Sequence, residues 1–236
     1  MDTVNVSIPQ LSVVVPVYNE SGNLQPLVEE IEQALSARMR FEVVVVDDGS
    51  DDGTAEELSG LAATRPWLRV ETHQRNRGQS AAIRTGVQTA FSSVVAVLDG
   101  DGQNDPADIP ALFAALSLTG DGMAVGERRK RSDTWSRRVS SRIANKVRST
   151  LLHDGIRDTG CGLKVFYRDE FLELPAFDHM HRFLPALMQQ RGRKVRSIPV
   201  NHRPRRHGRS KYGIRNRLGA GIIDLFGVIW LRRRRL

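Results

Sequence analysis

Three short apolar runs punctuate the first hundred residues, and each stops at a polar cluster. Residues 11–15 (LSVVV) end at Pro16, residues 41–46 (FEVVVV) at Asp47-Asp48-Gly49, and residues 94–98 (VVAVL) at Asp99-Gly100-Asp101. The runs are rich in β-branched residues and apolar at successive positions, not alternate ones. That is how strands buried on both faces of a parallel sheet read. Residues 68–73 form a weaker strand candidate between the second and third runs.

Helical spacing fills the gaps. Leu24, Leu27, Val28, Ile31 and Leu35 recur every three or four residues, and residues 54–63 and 80–91 occupy the next two intervals. Strand and helix thus alternate through residue 98, which predicts an α/β fold: a Rossmann-like, mostly parallel sheet flanked by helices. Beyond it, residues 109–118 read as a helix and 123–125 as a short strand. Residues 135–152, with Val139, Ile143, Val147 and Leu151 at four-residue spacing, read as a long amphipathic helix, and 163–166 as a return to the sheet.

Charge changes this picture at one end. Residues 191–236 carry 15 Lys/Arg against one acid, Asp224, a balance of +14, while the preceding 190 residues sum to −6. A cationic end on a near-neutral body points to a polyanionic partner, nucleic acid or an anionic membrane surface. Residues 218–231 (LGAGIIDLFGVIWL) are too short to span a bilayer, contain Asp224 and run into Arg232–Arg235, so they predict an interfacial or core helix. The first ten residues lack the basic and apolar regions of a secretory signal, and the single Cys161 excludes an intrachain disulfide.

Candidate chemistry lies at the strand ends, where ligands bind in such sheets. Asp99 and Asp101 flank one small residue just past a buried strand, an arrangement that suits Mg²⁺ or Mn²⁺ shared with substrate phosphates. Asp47-Asp48 close the second strand; some of the acids from 47 to 52 suit a helix cap, but two adjacent carboxylates at a strand end exceed what a cap needs. Pro16, Tyr18 and Glu20 close the first. A turn or a cap explains each cluster alone, but not three polar clusters delivered to one rim.

The ordered set VVVPVYNE, VVVVDDGSDDGT, NRGQSAAIRTG and VLDGDGQNDP resembles the successive motifs of inverting family 2 glycosyltransferases with the GT-A fold. The resemblance is closest to the polyprenyl-phosphate glycosyltransferases, the group of dolichol-phosphate mannose synthase, and runs from about residue 11 to about residue 217. It implies that Pro16, Tyr18 and Glu20 line the nucleotide pocket, that Asp48 contacts the base with Asp47 beside it, and that Asp99, Gly100 and Asp101 address the sugar diphosphate. Asp99, Asp101 and Gln103 would hold Mg²⁺ or Mn²⁺, although Gly102-Gln103-Asn104-Asp105-Pro106 stands where relatives have a Leu-Gln-x-Pro pattern.

On the acceptor side the resemblance implies that Arg128, Arg137 and Ser141 hold a lipid phosphate, and the catalytic group is expected to be Asp101, Arg128 and Arg137. A phosphate is already anionic, so it needs cationic positioning more than a general base. Residues 205–212 resemble an R-x-x-G-x-S-K-Y signature, with Arg205 and Lys211 expected on the donor diphosphate; Asp158 is expected to orient the sugar or the arginines. Cys161 reads as a small core residue, and His179 and His181 as surface groups.

The expected protein is therefore a catalytic domain over residues 1–212 followed by a membrane-associating segment over 213–236. It would transfer a hexose from a nucleotide-diphosphate sugar to a polyprenyl phosphate, peripherally bound at the cytoplasmic face of the membrane. A hydroxyl acceptor is the alternative, and it would require a carboxylate base. Nucleic-acid binding is the remote one, since unpaired strand-end acids would repel phosphates; no nucleic-acid partner is expected. The C-terminal helix could instead pack on the domain or form a homo-oligomer interface.

Overall fold

The computed structural model describes residues 8–120, 122–129, 155–205 and 224–230. The chain alternates as expected through β1 (Leu11–Val17), α1 (Leu24–Leu35), β2 (Phe41–Asp47), α2 (Thr54–Ala63), β3 (Leu68–Thr72), α3 (Gln79–Thr89) and β4 (Val94–Val97). It continues through α4 (Ile109–Thr119), β5 (Met123–Arg128), β6 (Lys164–Tyr167), α5 (Arg168–Leu172), α6 (Leu184–Gln190) and β7 (Val195–Val200). A last helix, α7, covers residues 224–230.

These strands form one seven-stranded sheet in the order β3-β2-β1-β4-β6-β5-β7. β1, β2, β3 and β4 run parallel, while β6 is antiparallel to both β4 and β5. β7 then pairs parallel with β5. The sheet is mixed only where β6 enters, and β6 separates the strand that delivers Asp99 from the strand that delivers Arg128.

Two apolar clusters explain the continuous hydrophobic runs. Val13, Val15, Val43 and Val45 face α1, α2 and α4 in one cluster, with Leu27, Ile31, Leu58 and Leu112. The intervening Val14, Val44 and Val46 face the other, with Ile83 of α3, Phe171 of α5 and Leu187 of α6. The valines of β1 and β2 thus have a helix layer to enter on either face, and alternation disappears. Burial of each such Val or Leu stabilises the fold by roughly 1.5–3 kcal/mol.

The sequence pattern missed α5, α6 and β7. β7 (VRSIPV) buries only Val200 fully, exposes Arg196 and Pro199, and lacks the apolar run that marks the central strands. It lies at the sheet edge, where proline's missing N–H is tolerated. The predicted helix over 135–152 lies outside the described residues. α7 buries Leu225 and Val228 in the second cluster while leaving Phe226 and Trp230 exposed. Among the described residues no helix is long and apolar enough to cross a membrane.

Candidate functional site

The strand order places the site. From β1 the chain moves outward through β2 to β3, then returns to the other side of β1 as β4. The reversal opens a crevice at the carboxyl ends of β1 and β4, the place where open α/β sheets bind ligands. Residues 16–20 and 99–103 meet there. The contact is close: a Cβ on Gly100 would lie 2.5 Å from Val17 Cγ1 and 3.2 Å from the Pro16 carbonyl oxygen. Gly100 is thus demanded by the approach of two strand ends, and it does not have a positive φ.

Asp99 and Asp101 project from this turn. Asp99 Oδ1 accepts a hydrogen bond from Gln79 Nε2 at 2.8 Å. Asp101 Oδ1 accepts from Gln103 N at 3.1 Å. Burial first, and then the neighbouring Asp99 charge, push the Asp101 carboxyl above its ordinary pKa; the Gln103 amide, Arg205 and His202 act the other way. Neither carboxylate forms a salt bridge among the described residues. Two like charges held together in a partly buried turn favour a cation that neutralises both.

The β2 end is organised differently. Asp47 is buried and accepts from Ser50 N at 3.0 Å and Ser50 Oγ at 2.5 Å, closing the turn after the strand. Asp48 is also buried. Its Oδ1 contacts His73 Nδ1 at 2.6 Å and accepts from Arg77 N at 2.9 Å, while Oδ2 accepts from Gly78 N at 2.8 Å. His73 Nε2 in turn lies 2.9 Å from Thr85 Oγ1. Asp48 therefore holds the loop that leads into α3. Asp52 does the helix-entry work expected of this stretch, accepting from Thr54 N at 2.9 Å.

At the β1 end, Glu20 is nearly buried, accepts from Asn23 Nδ2 at 2.8 Å, and forms an ion pair with Arg205. Arg205 belongs to the stretch 201–205, which crosses the loop after Asp101. Arg203 N donates to Gln103 O at 2.9 Å, Gln103 Nε2 donates to Arg203 O at 3.4 Å, and Asn104 bridges His202. Arg203 Nη2 donates to Glu30 at 2.6 Å and to the Asn104 carbonyl at 3.0 Å. Chain segments about a hundred residues apart thereby fix the loop after Asp101.

Across β6, Arg128 is clamped by Asp158. Arg128 Nε and Nη2 donate to the two carboxylate oxygens, each at 2.7 Å, and Arg128 N donates at 3.2 Å. The fork geometry fixes the guanidinium plane. Lys164 of β6 is buried and donates to the Cys161 carbonyl, and burial pushes its ammonium below the usual lysine range despite Asp99 and Asp158 nearby. Burial raises the Cys161 thiol, which keeps it protonated and suits a packing residue.

The structure thus gathers Pro16, Tyr18, Glu20, Asp47, Asp48, Asp99, Gly100, Asp101, Gln103 and Arg205 on one rim, with Arg128 on the far side of β6. Arg137, Ser141 and Lys211 lie outside the described residues. Gln79, His73 and Arg203 were not singled out from sequence. Gln79 lies in the NRGQ stretch, whose pattern marks a loop before a helix and says nothing of its partner.

His179 and His181 are not plain surface groups. His179 Nδ1 lies 3.0 Å from Asp224 of α7, and His181 Nδ1 lies 2.8 Å from Ser80 Oγ of α3. Both tie separate segments together, which local polarity could not reveal.

The chain is similar to known proteins. The family described as Glycosyl transferase family 2 matches residues 12–174. Dodecaprenyl-phosphate galacturonate synthase of Rhizobium johnstonii is 36% identical over 234 residues, covering 95% of this chain and 68% of its own length. Undecaprenyl-phosphate 4-deoxy-4-formamido-L-arabinose transferase of Edwardsiella ictaluri is 39% identical over 215 residues, covering 88% of this chain and 64% of the relative. The chain thus spans about two thirds of the length of these curated relatives.

Among solved structures, mannosyl-3-phosphoglycerate synthase of Rubrobacter xylanophilus superposes with a TM-score of 0.72 at 18% identity, covering 96% of this chain and 74% of that one. Glucosyl-3-phosphoglycerate synthase of Mycobacterium tuberculosis, in complex with Mn²⁺, UDP-glucose and phosphoglyceric acid, gives 0.69 at 18% identity, covering 95% and 79%. At that identity the likeness speaks to the fold.

Proposed function

The chain belongs to glycosyltransferase family 2 and has the GT-A fold, and on that premise we propose that it transfers a hexose, with inversion, from a nucleotide-diphosphate sugar to a polyprenyl phosphate. The observation that carries the reading is the carboxylate pair Asp99 and Asp101 at the switch point between β1 and β4. The two acids share one turn, lack a salt bridge among the described residues, and hold Asp101 with a raised pKa. The names of the relatives, a dodecaprenyl-phosphate galacturonate synthase and an undecaprenyl-phosphate sugar transferase, supply the acceptor class.

The residues present fit a divalent cation. Asp99, Asp101 and the Gln103 side chain offer hard oxygen donors, and diphosphate oxygens would complete the shell, as is usual for Mg²⁺ and Mn²⁺. Among the described residues no group of three or more His, Cys, Asp or Glu could hold a metal. When bound, the cation would offset the charge of the departing nucleoside diphosphate.

The chain's own groups do the rest. Pro16, Tyr18, Glu20 and Asp47 line the nucleotide end, with Asp48 bracing the loop behind them. Arg205, joined by Lys211, places positive charge at the diphosphate. Arg128, Arg137 and Ser141 hold the acceptor phosphate so that its oxygen attacks the anomeric carbon opposite the leaving diphosphate. No proton needs to be removed from that oxygen. Asp158 engages Arg128 with both carboxylate oxygens, so it serves to aim the guanidinium and is poorly placed to act as a base for a hydroxyl acceptor.

Helix α7 supports a peripheral membrane position. It docks through Leu225 and Val228, yet Phe226 is 65% and Trp230 57% exposed, next to Arg232–Arg235 in sequence. Aromatic residues beside a basic cluster suit an anionic lipid surface, and the donor would be met on the cytoplasmic face.

The test is a panel of radiolabelled nucleotide sugars incubated with undecaprenyl phosphate and Mg²⁺ or Mn²⁺. Label should move to the lipid with at least one donor and only with metal present. Transfer to no lipid from any donor would overturn the acceptor assignment.

A further inference from the structure

The Asp99 carboxylate is held from two sides, by Gln79 and by Gly162. On one side Gln79 Nε2 donates to Oδ1 at 2.8 Å. A carboxylate can only accept, so this contact also fixes which way the Gln79 amide faces. On the other side Gly162, in the loop before β6, lies so close that a Cβ there would overlap the Asp99 carboxyl group. The carboxylate is wedged between an amide donor and a bare backbone.

Gln79 is itself anchored. It is the first residue of α3, and the preceding Gly78 N donates to Asp48 Oδ2 at 2.8 Å. Asp48 also receives Arg77 N at 2.9 Å and contacts His73 at 2.6 Å. Asp48 and His73 are both buried. The α3 start is therefore pinned to the β2 end, and a side chain leaving it reaches across the front of β1 to β4. Three strand ends that a cap would treat separately become one connected frame.

We propose that Gln79 is a positioning residue for the metal site: its amide sets the orientation in which Asp99 meets a divalent cation bound to a nucleoside diphosphate. The inference rests on the metal reading of Asp99 and Asp101. Gln79 donates to Asp99 at 2.8 Å, so its loss should act on the metal and leave metal-free nucleotide binding alone. Loss of one hydrogen bond to a charged group weakens metal binding about tenfold.

The test measures Mn²⁺ binding by loss of the free-ion EPR signal, with UDP, GDP, CDP and dTDP each added in turn. Wild type, Asp101→Asn, Gln79→Leu and Gln79→Asn are compared; the Asn variant keeps an amide but is too short to reach Asp99. Circular dichroism melts check folding, and calorimetry measures the same nucleotide without metal. Wild type should form a ternary complex with at least one nucleotide and Asp101→Asn none. Both Gln79 variants should melt as wild type, bind Mn²⁺ about tenfold more weakly, and keep metal-free nucleotide affinity.

Gln79 variants that bind Mn²⁺ like wild type, while Asp101→Asn does not, would overturn this inference and leave the metal reading standing. So would an equal fall in metal-free nucleotide affinity, which marks general damage to the pocket. A wild-type protein that binds no Mn²⁺ with any nucleotide, or an Asp101→Asn variant that binds it normally, would overturn the metal reading and this inference with it.

Discussion

The two rims of the sheet both contain acids taken from water, but they treat them in opposite ways. At the amino end, Glu42 of β2 is buried and fully matched. It accepts from Ser12 Oγ at 2.5 Å and Phe91 N at 2.6 Å, and it pairs with Arg69 at 3.1 Å. Arg69 in turn lies 4.2 Å over the Phe91 ring. At the carboxyl end, Asp99 and Asp101 accept from amide donors and form no salt bridge among the described residues. The acid of one rim is paired with a cation by the fold; those of the other form no salt bridge among the described residues. Burial of a carboxylate is therefore no guide to function until its partners are counted.

Substitutions at the two rims should break this comparison in different currencies. Asp101→Ala should lower transfer by about 10³-fold or more with the fold intact, measured as label moved to undecaprenyl phosphate per folded protein; activity within a factor of a few of wild type would refute the metal assignment. Glu42→Leu should leave the activity of folded molecules unchanged but cost about 3–5 kcal/mol of stability, because Arg69, Ser12 and the Phe91 amide lose their acceptor. Urea unfolding reads that loss directly. Arg205→Ala should raise the donor KM about tenfold by removing a charged contact, with little change in stability because its partner Glu20 keeps the Asn23 amide.

The smallest effect sharpens the contrast most. In the metal-free fold Asp101 keeps its proton to a higher pH than in the unfolded chain, whose carboxyl titrates near 3.8. The folded state thus binds more protons in that window, so this group's contribution to stability falls as pH rises from about the ordinary carboxyl pKa through the raised one. Asp101→Asn should remove that slope and raise the metal-free melting temperature slightly above neutral wild type. Glu42→Gln should lower it. Melts from pH 4 to 8 on both variants compare the signs; a lower melting temperature for Asp101→Asn throughout would mean that Asp101 is as well matched as Glu42.

Most of the parallel half of the fold was legible along the chain. Val13 to Val15 and Val43 to Val46 are apolar without interruption because helices cover both sheet faces, and this two-sided burial leaves a local trace. The helix of α1 is equally local, since Leu24, Leu27, Val28, Ile31 and Leu35 fall on one stripe. β7 left no such trace: an edge strand with Arg196 and Pro199 is held by its pairing with β5 and not by its own hydrophobicity. His179 and His181 looked like solvent-facing residues because Asp224 and Ser80, their partners, are distant in sequence.

For the site, chain order alone shows which acids end which strands, since the apolar runs of β2 and β4 give way to Asp47-Asp48 and to Asp99-Gly100-Asp101. It also determined, through ordered motifs, the family to which those acids belong. Only the tertiary structure decided how the acids differ. Asp48 is turned inward to brace His73, Arg77 and Gly78, whereas Asp99 and Asp101 meet only amide donors at hydrogen-bond distance among the described residues. That distinction arises because hydrogen bonds and mutual repulsion depend on distance through space: the reversal between β1 and β4 sets Gly100 against Val17, and α3 carries Gln79 to Asp99 across two strand ends that the chain order keeps apart.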